Sequence, residues 1–191
     1  MYRTLFIASI ASFALATPTQ AQVVDATGQS MRLQGSAPMA CVLGQAGALA
    51  ADNASFTSGG SATGQISITQ LVDPQDATSL ASSLDLSVPV RCNASHRLVV
   101  RSANGGLQRS FAGNGGNRGS QPFAEFLTYR YTLGWAGRDI GRSSDMGELA
   151  LDVATPAQGT LQLRVSTLAG GGPLVAGQYG DTLVIEFQPA G

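Results

Sequence analysis

The sequence predicts an all-β protein built as an antiparallel sandwich of two sheets. Three observations carry that expectation. Apolar and polar residues alternate with period two in one stretch after another, and helical periodicity is nearly absent. The alternating stretches are separated by loops rich in Gly, Ser and Asn. Such alternation gives a strand one buried face and one wet face, so a sheet of these strands must cover its apolar side with a second layer.

The chain opens on "MYRTLFIASIASFALATPTQA" (1–21), which reads as a secretory signal peptide. Arg3 supplies a basic start, Leu5 to Ala16 form an apolar run broken only by serines, and Thr19-Gln20-Ala21 offers small residues at a cleavage point. About a dozen apolar residues fall short of the ~20 that a spanning helix needs, and no later run is longer. The protein is therefore expected to be exported, with no membrane span. Roughly 170 residues remain, the size of one domain.

Weak strand patterns occupy 31–43 ("MRLQGSAPMACVL") and 64–72 ("GQISITQLV"), and the stretch between them, 48–64, reads as a long loop. In "LDLSVPVRC", Leu84, Leu86, Val88, Val90 and Cys92 share one face. Pro89, which has no N–H for a ladder, points to an edge position or a bulge. "RLVVRSA" (97–103) and "ELALDVA" (148–154) are weaker strands. "FLTYRYTLGW" aligns Leu127, Tyr129, Tyr131 and Leu133, and "TLQLRVSTL" aligns Leu161, Leu163 and Val165. In the final strand Leu183, Ile185 and Phe187 oppose Thr182, Val184 and Glu186. "NGG" (104–106), "GNGGNRGSQP" (113–122) and "AGGGP" (169–173) are turns or loops, where glycine reaches positive φ without steric cost.

Composition excludes several functions. Net charge is −1, only 12% of residues are charged, and there is no lysine, so the basic stripe that nucleic acid requires is missing. Two cysteines in an exported chain, Cys41 and Cys92, point to a disulfide. A metal centre would need further ligands, and His96 is the one histidine. His96 sits in a turn before a strand and reads as a surface residue. No G-x-S-x-G elbow accompanies it, and a triad is recognised by geometry that spacing does not display. Asp73 and Asp76 flank Pro74 in turn chemistry, while Glu148 and Asp152 match no carboxylate or calcium motif. "GNGGNRG" lacks the ending of a phosphate loop. Asn53-Ala54-Ser55 and Asn93-Ala94-Ser95 match the short glycosylation tripeptide, and Trp135 reads as a core or rim aromatic ahead of a ligand platform. The expectation is a protein that is not an enzyme, with no catalytic residues, metal or cofactor.

Four pieces of the chain occur in a familiar order: Cys41 at the end of an early strand, "VRCNAS" closing a middle strand, "RSANGGL" after the next, and "AGQYGDTLVIEF" near the end. Together they resemble the spore coat protein U family, which is related to the subunits of archaic chaperone–usher pili. The closing motif places Ala176, Gly177, Tyr179, Asp181 and Thr182 in an Ala-Gly-x-Tyr-x-Asp-Thr turn leading into the final strand. The order holds over nearly all of the chain after the signal, although "YRYTLGWAGRDIGRSSDMGELALDV" matches only loosely. The resemblance implies an immunoglobulin-like, pilin-like sandwich that lacks one strand. Leu183, Ile185 and Phe187 would then belong to the strand that walls an acceptor groove. It also implies a periplasmic chaperone, an outer-membrane usher and neighbouring pilin subunits as partners, and passage through the periplasm to the cell surface or beyond. An exposed edge beside an apolar groove is a liability that an added strand removes.

Residues 22–33 form a candidate donor strand ahead of a domain spanning 34–191. Met31 and Leu33 alternate with Ser30 and Arg32, while Val24, Ala26 and Gly28 form a set of opposite parity. This stretch equally fits the domain's own first strand, and both readings stand. The function expected is a structural or adhesive subunit of a secreted surface fibre, assembled by donor-strand complementation. The alternative is a self-contained secreted binding module, such as a carbohydrate-binding tip domain; nothing in the spacing supports a secreted hydrolase. The two differ in whether the groove beside the final strand is empty.

Overall fold

Among the described residues, fourteen strands follow one another with almost no helix. The computed structural model describes residues 31–60, 63–110 and 122–190. The predicted signal and the donor-strand candidates Val24, Ala26 and Gly28 lie outside the described residues. The chain divides into two units, Met1–Ser36 and Ala37–Gly191. In the first, residues 31–36 carry no strand, and Met31 and Leu33 are fully exposed.

The second unit holds β1 (Cys41–Leu43), β2 (Gly47–Asp52), β3 (Ala54–Ser58), β4 (Gly64–Ile68), β5 (Ser82–Cys92), β6 (His96–Ser102) and β7 (Leu107–Arg109). These are followed by β8 (Phe126–Leu127), β9 (Arg130–Trp135), β10 (Arg138–Ser143), β11 (Leu149–Val153), β12 (Ala157–Thr167), β13 (Tyr179–Gly180) and β14 (Leu183–Pro189). A single 3-10 turn, Ser144–Met146, joins β10 to β11. No helix among the described residues is long and apolar enough to cross a membrane.

The first layer runs β1-β5-β12-β9-β10, with β2 also on β5. Its spine is the antiparallel pair β5–β12, in register from Ala157↔Cys92 to Thr167↔Ser82. The second layer is β11-β6-β14, continued by the short sheet β13-β7-β8. The core lies between these layers and is made of the residues that alternation selects. Leu84, Leu86 and Val90 of β5 and Leu161 and Leu163 of β12 meet Leu98 and Val100 of β6 and Leu151 and Val153 of β11, with Tyr131, Leu133 and Trp135 of β9. Each buried side chain contributes about 1.5–3 kcal/mol relative to exposure. The all-β sandwich expected from the sequence is the fold observed.

Four local expectations are corrected. The stretch 126–135 is not one strand: Phe126–Leu127 pairs with β7 in the short sheet, and only Arg130–Trp135 joins the first layer. Residues 48–64 are not a loop: they supply β2, β3 and the first residue of β4. Every residue of β2 is exposed, so it is held by its ladder to β5 and leaves no hydrophobic pattern to read. The pattern at 31–43 becomes a strand only at Cys41–Leu43. Pro89 is on a central strand, and it is the neighbouring edge that breaks. The Pro89 carbonyl accepts from Gly44 N at 2.7 Å in the gap between β1 and β2. Because a residue's N–H and C=O point to the same side of an antiparallel strand, the donor that proline lacks would face this gap.

The Cys41–Cys92 disulfide is formed. The two residues stand directly opposite in the β1–β5 register, so the bond ties the first strand of the sandwich to its central one.

Candidate functional site: an open groove beside the final strand

β14 has a strand partner on one edge only. It runs antiparallel to β6, from Leu183↔Ser102 to Pro189↔His96, and no other described strand pairs with it. Hydrogen bonds just beyond both ends of the ladder set the orientation of its backbone. Ala103 N donates to Thr182 O at 2.9 Å, and Ala190 N donates to Ser95 O at 3.2 Å, so even-numbered residues face β6. By alternation, Leu183, Ile185 and Phe187 aim their N–H and C=O groups at the unpaired edge. Those same residues turn their side chains toward the core, yet all three are only half-buried, whereas Leu98 and Val100 on β6 are fully buried.

Beside this edge lies a groove of about 740 Å³. Its floor is the inner face of the first layer: Leu84, Leu86 and Val88 of β5 and Leu161, Leu163 and Val165 of β12. One wall is β13–β14, with Tyr179, Asp181, Leu183 and Ile185. The other is the hairpin β3–β4, whose Ala54, Phe56, Ile66 and Ile68 line the groove. Ile66 remains 37% exposed. In the register Ala54↔Ile68 and Phe56↔Ile66, these four residues share one face of the hairpin. Of the site residues expected from sequence, Leu183 and Ile185 line the groove. Phe187 does not: it packs in an aromatic cluster, 5.8 Å from the His96 ring and 5.7 Å edge-on from Trp135.

The Ala176–Thr182 motif shapes the start of this wall. Asp181 is its hub, accepting from Asn104 N at 2.9 Å, from the Tyr129 hydroxyl at 2.7 Å and from the Ser102 hydroxyl. The ribbon of β6–β7 against β13–β14 is interrupted here: Thr182 is bonded to Ala103 and Gly180 pairs with Gln108. The loop 104–106 thus bulges opposite Asp181, and the carboxylate fastens it. Burial, reinforced by the Asp181 charge, holds the Tyr129 phenol well above its ordinary range. The Tyr179 hydroxyl donates to Val175 O at 2.7 Å and to Ala124 O at 3.1 Å, pinning the segment ahead of the strand. Gly177 has φ 154°, and a Cβ there would sit 3.0 Å from the Arg109 side chain, so both conformation and space call for glycine. Ala176 and Thr182 are exposed.

The residues considered for chemistry have structural partners. His96 is not at the surface but 1% exposed. The Trp135 indole N–H donates to His96 Nε2 at 2.9 Å, which leaves Nδ1–H to donate to Ala94 O at 2.9 Å. Both glycosylation-tripeptide asparagines are clasps. Asn53 bonds Gln70 N, Gln70 O and Ala81 O through its side-chain amide, while Asn93 bonds Ala40 N and Pro38 O. Cys41, Cys92 and His96 form a compact group of potential metal-binding atoms, but the sulfurs are joined to each other and His96 Nε2 is engaged by Trp135. This set does not fit a metal.

Sequence reasoning found the β4 half of the hairpin wall in the weak pattern at 64–72 but missed β3, whose alternation is diluted by small and polar residues. It also missed the Asp181 network, whose partners are dispersed over some eighty residues of chain.

No family model matches the chain, and no curated protein matches it. Among solved structures, it is similar to a chain from a study of a chaperone–tip adhesin complex in CFA/I fimbriae biogenesis. That similarity has 16% identity and a TM-score of 0.35, and covers 74% of this chain. The chain spans 43% of the length of that structure's chain. No functional conclusion rests on this likeness.

Proposed function

We propose that this protein is a structural or adhesive subunit of a secreted surface fibre, completed by a β-strand from another molecule. One observation carries the reading: among the described residues, no strand lies beside the outer edge of β14, which combines an unpaired edge with an apolar groove. A strand entering there would pair with Leu183, Ile185 and Phe187 and cover the half-buried Val88 and Val165 and the exposed Ile66, the two rewards of β-strand addition. A self-contained binding module would have no need to leave that edge bare. The signal-like N-terminus and the disulfide support passage through an oxidising periplasm, where a chaperone would occupy the groove before an usher hands the subunit on. The contact between subunits would be head-to-tail and non-closing, so it would propagate as a fibre. The proposed donor is the segment 22–33, and no catalytic role is assigned to the chain.

Deleting residues 22–33 is expected to leave chaperone binding intact and to abolish polymerisation. Co-purification with the chaperone and electron microscopy of the product measure the two effects. A truncated chain that still forms fibres excludes this segment as the donor.

A further inference from the structure

The sandwich has a second pair of edges, treated in the opposite way. β10 and β11 end their respective layers on the side where the turn Ser144–Met146 joins them. Arg138, Ile140 and Arg142 share one face of β10, and Ile140 packs against the core. The two arginines on that face reach across to β11. Arg138 Nη1 donates to Asp152 O at 3.0 Å, and Arg142 Nη1 donates to Glu148 O at 2.5 Å and Met146 O at 3.1 Å.

β11 faces β6 through its odd-numbered residues, because β6 presents Arg97, Val99 and Arg101 to β14 and His96, Leu98 and Val100 to β11. Glu148, Ala150 and Asp152 therefore point outward, and two of those three carbonyls are occupied by guanidinium groups. Inward-pointing charge on an edge strand is a known means of preventing unwanted strand pairing. Among the described residues nothing comparable covers β14: Arg101 on β6 is paired with Glu186 instead.

We infer that Arg138 and Arg142 determine specificity by closing the β11 edge to strand addition, which leaves the β14 groove as the acceptor. This rests on the strand-addition reading of the groove. The excluded occupant is the same edge of a second copy of this chain, which presents the same unpaired pattern and would form a two-fold, self-complementary contact.

The test compares the full chain with R138A/R142A, each saturated with a synthetic peptide of residues 22–33 to cap the groove. Light scattering after size exclusion reads the mass. The wild type is expected to stay at one chain, and the double variant to show a concentration-dependent rise of roughly twofold or more. Ala150→Pro in the double variant should return the mass to wild type. The Ala150 N–H points out along the same edge, where proline blocks pairing without replacing the arginines. A double variant that keeps the wild-type mass overturns the inference, as does one whose association survives Ala150→Pro. If the double variant fails to fold, R138A and R142A are compared singly, each freeing one β11 carbonyl; an unchanged mass in both also overturns it. A peptide that does not bind the wild type counts against the groove reading instead. In that case the mass comparison, run without peptide, still decides the role of the arginines.

Discussion

Asp181 illustrates how one side chain turns a sequence motif into a structural device. Its carboxylate gathers Ser102, Asn104 and Tyr129 and so fixes the bulge at the head of the groove wall. The motif is visible in the sequence, but its partners are not, because they come from strands far apart in the chain. His96 is the converse case. Its position after "CNAS" reads as an exposed turn, yet Trp135, 39 residues away, draws it into the core through a hydrogen bond. Tyr129 gives the residue scale its test. Burial raises its phenol above the ordinary value of about 10. The fold therefore favours the neutral form. That contribution to stability is complete below about pH 10 and is lost as pH rises through the higher folded value. The thermal midpoint is expected to fall between about pH 9 and about pH 11, and Tyr129→Phe should flatten part of that fall. An identical pH profile in the variant would show that the phenol is not held this way.

At the scale of elements, strands with a strong alternating face were legible, and strands defined by their ladders were not. β5, β12 and β14 carry runs of large apolar residues at alternate positions, and all three are where the pattern places them, whereas the pattern over 126–135 yields β9 only from Arg130 onward. β2 and β3 are rich in Ala and Ser, so their pairing with β5 and β4 leaves little trace in hydropathy. The groove was only partly legible for the same reason: its floor, its β14 wall and the β4 half of the hairpin show in the sequence, while β3 does not. The three-residue strand β1 depends on its covalent tie to β5. In the chain-entropy description, a bond joining residues 51 apart stabilises by up to ~4 kcal/mol. Cys41→Ser is expected to lower stability on that order, read by denaturant unfolding; an unchanged midpoint would show that the bond contributes nothing.

At the scale of the whole molecule, the two open sides of the sandwich differ in kind. One is laced by Arg138 and Arg142, and the other, among the described residues, is an unpaired edge above an apolar floor. The proposed completion of the second layer by a strand from another molecule rests on that difference. The most direct measurement is residue-resolved amide hydrogen exchange along β14, with and without a peptide of residues 22–33. In the free chain the amides of Val184, Glu186 and Gln188, which face β6, should be protected, while those of Leu183, Ile185 and Phe187 exchange quickly. Peptide should slow those three and leave the others unchanged. Uniform protection along β14 without peptide, or no change when peptide is bound, would contradict the account.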